Sequence, residues 1–407
     1  MADRVPRRTF LRGAGLTALA VAAQGCVSAS APGPGPSPSS PGLSQSAGPI
    51  PTPTKTPSSA ASADSLRRMI GGLLVVGFRG MTVSQAEPVA RAIAEEGLGG
   101  IVLFDRDQIT GGPRNIGSRT QVTGLVRDLQ ALAGGRLIVG IDQEGGAVAR
   151  LSPANGFPPV ASQETVGQTN SVPQAHHWAA ALAATLHEVG VTLNFAPVVD
   201  VNVNPSNPAI GALGRSFSAD PAVVTRMALA EIAEHHARGI RTTLKHFPGL
   251  GSATSNTDFG VADVTDTWSA RELEPYRALI AAGVTDVVMV ANLVNRHLDP
   301  RRPASLSPSV VTGLLRQQLG WDGVVVTDDL GARAITATFG QAEAIALALE
   351  AGNDLLLLAN QQSYDPDICR TVTDIVVALV AQGRISPARL HAAAERVARL
   401  RAGVAGG

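Results

Sequence analysis

Lys245 and His246 stand side by side after Thr242-Thr243-Leu244, a short β-branched run, and open into Phe247-Pro248-Gly249-Leu250-Gly251. Lys and Arg total 33, yet only Lys55 and Lys245 are lysines, and Lys55 lies in a Pro/Ser/Thr-rich stretch. A lysine offers a compact, rotatable point charge that the planar guanidinium does not copy. Next to His, Pro and Gly it marks a site. Other apolar runs end in polar residues too: Asp105 and Asp107, Asp142, Asp200, Asn292, and Asp328-Asp329. An Asp after a strand is often only the N-cap of the next helix, and Asp329 is read that way. The whole set implies a polar pocket. Without a metal or nucleotide motif, such a pocket suits a polyhydroxylated substrate, whose hydroxyls donate to carboxylates and accept from cations. Cleaving a glycoside also needs carboxylates, one as nucleophile or base and an acid partner. Asp328, which ends Gly323-Val324-Val325-Val326-Thr327, is the nucleophile candidate by position.

The elements that must position these residues alternate. Short apolar runs occur at Leu73–Phe78, Ile101–Phe104, Leu137–Ile141, Thr192–Ala196, Thr242–Phe247, Val287–Ala291, Val324–Thr327 and Leu355–Ala359. Helical patterns separate them at Val83–Glu96, Gln121–Ala133, Gln174–Val189, Ala222–Arg238, Ala270–Ala282, Pro308–Leu319 and Gln341–Ala351, and a last helix is read at Pro387–Ala402. Glycine closes these helical patterns at 97, 134, 190, 239, 283, 320 and 352, as helix C-termini favour. Continuous apolar strands are buried on both faces and so parallel. Eight β-then-α repeats predict a (β/α)8 barrel, an α/β fold with its site at the carboxyl ends of the strands. It would be a single catalytic domain over residues 64–407.

The N-terminus reads differently. Arg7-Arg8-Thr9-Phe10-Leu11-Arg12 resembles a twin-arginine export signal, and the apolar stretch from Gly13 to Ala23 is too short to span a bilayer. Ala23-Gln24-Gly25-Cys26 resembles a lipobox, although Gln24 is not the usual residue there. Residues 1–26 are thus read as a signal, with the exported protein held at the membrane through lipid on Cys26. Residues 27–63, rich in Pro, Ser and Thr, would form a disordered tether. Only Cys369 then remains, so no internal disulfide is expected. A formal net charge of zero and 3% aromatics argue against nucleic acid as a partner. No cofactor and no metal are expected. The pairs His176-His177 and His235-His236 lack a metal-binding context and are read as helix-surface residues. A monomer is expected.

The motifs together resemble glycoside hydrolase family 3, in its single-domain bacterial β-N-acetylglucosaminidase branch. The resemblance runs from about Leu66 to the C-terminus. It rests on Gly140-Ile141-Asp142-Gln143-Glu144-Gly145-Gly146 through Arg150, on Asn194-Phe195-Ala196-Pro197-Val198-Val199-Asp200, and on Gly214-Arg215-Ser216-Phe217. Lys245 to Gly251 and Gly323 to Leu330 complete it. It implies a retaining double displacement with Asp328 as nucleophile. It also implies that Asp142, Arg150, Arg215, Lys245 and His246 hold an N-acetylglucosamine in the −1 subsite. The expected substrate is a GlcNAc–MurNAc muropeptide fragment. One departure stands out. The family pattern has Asp-Ser/Thr-His in the loop after Lys-His, the His being the acid/base; here the loop reads Asn256-Thr257-Asp258. Asp258 is the candidate acid/base, with Glu144, Asp263 or water as competitors. Rival readings are a β-glucosidase or phosphorylase of the same family, and a non-catalytic muropeptide-binding lipoprotein.

Overall fold

The computed structural model describes residues 59–402, and side chains from residue 63 onward. The twin-arginine stretch, Cys26 and most of the tether lie outside them. Regular structure starts before residue 64, with a helix over Ser59–Gly71.

Ten strands follow in chain order: β1 Leu74–Gly77, β2 Gly100–Leu103, β3 Ile138–Ile141, β4 Gln143–Gly145, β5 Val148–Ala149, β6 Leu193–Asn194, β7 Arg241–Phe247, β8 Val287–Val290, β9 Val324–Thr327 and β10 Leu356–Leu358. Eight form one sheet in the order β10-β1-β2-β3-β6-β7-β8-β9. Every pairing between these neighbours is parallel. The ends meet through a parallel bridge between Val326 and Leu355 and through Thr327 N–H donating to Leu355 O at 3.1 Å. The sheet is therefore a barrel, and all eight expected strands are in it. Their burial explains the unbroken apolar runs: every residue of β1, β2, β3, β8 and β9 is buried. The expected closing glycines, 97, 134, 190, 239, 283, 320 and 352, all have positive φ, between 60° and 113°, where a β-carbon is strained.

The short antiparallel pair β4–β5 was not anticipated; it turns the chain back directly after β3. Three helices were also missed, over Gln163–Thr169, Arg333–Thr336 and Ile368–Ala381. The expected helix over 270–282 is a tight turn over Ala270–Leu273 followed by a helix over Glu274–Ala281.

Two readings are corrected. His235 is not on a helix surface. It is fully buried, with Nδ1 donating to Glu231 O at 2.8 Å and Nε2 accepting from Asn194 Nδ2 at 3.1 Å. Burial pushes its imidazole down to about 4, so it is neutral. His236, by contrast, is half-exposed and pairs with Asp286 at 2.6 Å. Asp107 does not converge on the barrel mouth; it is buried and takes Arg79 and Arg114 at 2.8 and 2.7 Å. Arg114, itself buried, also donates to Phe78 O, Ala359 O and Asn360 O. This knot ties β1 to β10 where the first and last strands meet.

Candidate active site

The mouth at the carboxyl ends of the strands holds a cavity. Its polar lining brings together Asp142, Arg150, Arg215, Lys245, His246, Asp258, Asp328 and Asp329. All seven residues named above as nucleophile, acid/base and −1 contacts are among them. Apolar walls come from Val102, Phe104, Met289 and Leu357, and part of the rim from Gln108, Gln361 and Gln362.

β7 delivers Lys245 into a nest of carboxylates. Its ammonium sits 2.6 Å from Asp142 and 2.7 Å from Glu144, and only 2% of the side chain is exposed. Burial alone would lower its pKa, but the two carboxylates outweigh that and raise it. Glu144 is buried and also takes Arg215 in a two-pronged pair, with both N···O distances at 2.7 Å. Burial pushes its carboxyl up, and Arg215 and Lys245 together hold it well below the usual range. Glu144 is thus a fixed anion, not a group that can give a proton, and it leaves the competition for acid/base. Its part in the site was legible. Asp142 and Glu144 are two apart in an extended segment and so share a face.

His246 is set by Asp200. Its Nδ1 donates to Asp200 Oδ2 at 2.7 Å, while Asp200 Oδ1 accepts the N–H groups of His246 and Leu250. His246 Nε2 lies 3.3 Å from Arg215, which can only donate, so Nε2 accepts. Asp200 is buried behind His246 rather than in the cavity lining. Behind the same loop, Glu272 Oε2 accepts from Gly251 N–H at 2.9 Å, and burial pushes Glu272 up to about 7. A β-carbon on Gly251 would fall 1.7 Å from Val201 O, which is why this position takes glycine.

Arg150 bridges loosely, with its guanidinium 3.6 Å from Asp142 and 3.9 Å from Asp105, and lies over the Phe104 ring. Asp105 and Asn292 do not line the cavity. Asn292 instead donates to Asp329 O and accepts from Ser305.

Asp328 follows β9, and its backbone N–H donates to Val290 O at 2.9 Å, which fixes it at the mouth. Asp329 is not a helix N-cap, as had been expected. Its Oδ1 accepts from Gly331 N–H and, across the barrel seam, from Ala359 N–H at 2.8 Å. The next helix, Arg333–Thr336, has Ala332 at its N-cap. Burial pushes Asp329 up to about 7.

Asp258 reaches the cavity from the loop after β7. Asn256 Oδ1 accepts the Asp258 N–H at 2.9 Å, and Asn256 O accepts from Phe259 and Gly260. So Asn256 shapes the turn that presents Asp258. The loop is docked from across the mouth. Arg333 N–H donates to Asp258 O, Ala334 N–H to Thr257 O, and Gln362 Nε2 to Asp258 O at 2.6 Å. Burial first, and then Asp328, raises the Asp258 pKa. Asp263, the other competitor, is exposed and bound to Thr265 and Arg296 outside the cavity.

A closed parallel barrel whose mouth brings a fixed anion–cation lattice together with the Asp258 and Asp328 carboxyls has the equipment for acid-assisted displacement at a sugar carbon. The glycosyl hydrolase family 3 N-terminal domain matches residues 65–400. The chain belongs to that family. It is similar to the beta-hexosaminidase A of Pseudoalteromonas piscicida, 33% identical over 291 residues, covering 66% of this chain and 47% of that protein. The structure of a glycoside hydrolase family 3 beta-N-acetylglucosaminidase from Paenibacillus sp. str. FPU-7 superposes with a TM-score of 0.76 at 34% identity, over 84% of this chain and 63% of that one. The crystal structure of beta-N-acetylhexosaminidase from Beutenbergia cavernae DSM 12333 gives 0.72 at 34% identity, over 83% of this chain and 98% of that one. The chain thus spans about half of the first relative and nearly the whole of the third.

Proposed function

We propose that the protein is a retaining β-N-acetylhexosaminidase that removes terminal β-linked N-acetylglucosamine. The observation that carries this reading is the meeting of Asp328 and Asp258 in one cavity with Asp142, Arg150, Arg215, Lys245 and His246. Asp328 attacks the anomeric carbon as a carboxylate. The bond to the glycosidic oxygen breaks while Asp258 gives that oxygen its proton. Asp258, now a carboxylate, takes a proton from water; the water oxygen bonds to the anomeric carbon and Asp328 is released. A raised Asp258 pKa supports the first step, because a carboxyl must hold its proton to give it. The lattice around Lys245 contacts the −1 sugar hydroxyls, and its fixed geometry lowers the reorganisation needed on binding. No cofactor takes part in this scheme.

The natural substrate in this reading is a GlcNAc–MurNAc muropeptide fragment of the cell wall. The protein acts as an exported monomer held at the membrane through lipid on Cys26, which the lipobox-like Ala23-Gln24-Gly25-Cys26 supports. The test is release of an aryl leaving group from β-N-acetylglucosaminide and β-glucoside substrates, with Asp328→Ala as control. N-acetyl-selective turnover that vanishes in the control is expected. Equal turnover on both sugars would replace the assigned specificity, and no turnover above the control would leave a sugar-binding lipoprotein.

A further inference from the structure

We propose that the face of the barrel opposite the catalytic mouth docks on an anionic phospholipid surface. That face holds an open groove. The last turn of helix Ser59–Gly71, the segments leading into β2 and β3 and the last turns of helix Pro387–Ala402 form it. Arg68, Arg136 and Arg401 line it, and no carboxylate does. Of the two acids close by in sequence, Glu96 is taken by Arg370 at 3.1 Å, and Glu95 is exposed but does not line the groove. Arg68 and Arg136 are exposed and make no ion pair among the described residues. Arg401 donates to Gly72 O at 2.7 Å, but its Nε is buried without a partner. Burial, and after it the repelling Arg136, push Arg401 down to about 10.

In this fold the amino-terminal face of the strands carries stability rather than chemistry. Like charges gathered there without a counter-charge work against stability, so the cluster fits a ligand that brings phosphate. The groove also has an apolar lip: Leu132, 45% exposed, beside Ala94 and Ala398. A free phosphate needs only the arginines. A phospholipid headgroup with the start of its acyl chains uses both the cations and the lip. The reading also gives the face a task. On the proposed reading, a lipid on Cys26 would hold the chain at the bilayer without choosing which face of the barrel meets it. Seating this groove on the bilayer turns the mouth toward the wall.

The test uses the processed chain from residue 26 onward, carrying Cys26→Ser so that no acyl chain contributes. It is sedimented with vesicles of pure phosphatidylcholine and with vesicles containing about one third phosphatidylglycerol, the charge that basic residues sense. Partition onto the anionic vesicles alone is expected. Arg68→Gln with Arg136→Gln should weaken it by roughly fivefold per arginine, and raised salt should weaken it further. Both side chains are exposed, so melting temperature and aryl-substrate turnover should not change. Millimolar inorganic phosphate should leave vesicle binding in place. Equal binding to neutral vesicles, no loss in the double variant, or phosphate that binds while vesicles do not would each overturn the proposal.

Discussion

The two halves of the mouth are held by different physics. Asp142 just after β3, Glu144 on β4 and Lys245 on β7, with Arg215 from the connection before β7, lock one another through charge, at distances of 2.6 to 2.7 Å and mostly out of water. Across from them, Asp258 sits on a loop fixed by backbone carbonyls that accept from Arg333, Ala334 and Gln362. In the first half each member needs the others, because a buried charge without its partner is far more costly than a lost neutral hydrogen bond. In the second half, single contacts are replaceable and the proton, not the lattice, is what matters. In the proposed mechanism the −1 sugar would meet a rigid surface, while Asp258, the group that would change protonation twice, is carried by an element that can adjust.

The largest stability effect falls on the rigid half. Lys245→Met removes the cation between Asp142 and Glu144 and leaves their carboxylates close together. A loss of about 3–5 kcal/mol in denaturant unfolding is expected. Lys245→Arg should not restore it, since a planar fork does not fit the space of a point charge. Adding Glu144→Gln to Lys245→Met should recover part of the loss, a non-additivity expected of residues in one network. Strictly additive losses would mean that the lattice is not a unit.

The next effect separates the halves by chemistry. Asp258→Ala should lower turnover of a disaccharide by roughly 10²–10⁴, with a smaller loss on an activated aryl glycoside that leaves without protonation. The wild-type disaccharide rate should fall as pH rises through the raised Asp258 pKa, because only the protonated form donates. The variant should lack that limb. Equal loss on both substrates would place Asp258 in binding instead.

How much of this was legible follows the same division. The barrel was readable because strands buried on both faces leave unbroken apolar runs and the helices close on glycine. Lys245 and Asp328 were readable because strand ends face the mouth. Helix Ile368–Ala381 was not: Thr371-Val372-Thr373 and Ile375-Val376-Val377 are β-branched, with weak helix propensity. Packing supplies what propensity lacks, burying Ile368, Val372, Val376 and Leu379 along one face. Asp107 read like Asp142, because each comes after an apolar run, and Asp329 read as a helix N-cap. Only tertiary contacts show that the first belongs to the Arg114 knot and that the second spans the seam to Ala359. Gln362 carries no motif at all, and its partner Asp258 lies 104 positions away.

Glu272 sharpens the comparison from behind the Lys-His loop. Its folded pKa, about 7, lies above the ordinary 4.5, so the folded state holds this proton more tightly. The stability from that proton is fully present below pH 4.5 and is lost as pH rises through 7, a change of about 3 kcal/mol. Glu272→Gln should flatten this part of the melting-temperature profile, since an amide oxygen can still accept from Gly251 without titrating. Parallel profiles for the two proteins between pH 5 and 8 would show that Glu272 is not the group responsible.

The smallest effect tests whether the loop half is as tolerant as its contacts imply. Gln362→Ala removes the 2.6 Å bond to Asp258 O but leaves the backbone donors Arg333 and Ala334 in place. One hydrogen bond at an exposed side chain contributes about 1 kcal/mol, so disaccharide kcat should fall roughly fivefold. The loss should appear in kcat and follow leaving-group basicity, as expected if Gln362 positions the acid. Competitive inhibition by free N-acetylglucosamine should be unchanged, since that sugar reads the strand ends. Weaker inhibition in Gln362→Ala would mean that the two halves are coupled. In that case the charge lattice and the loop would form one device, and loop position would set the shape of the −1 site as well as the proton's.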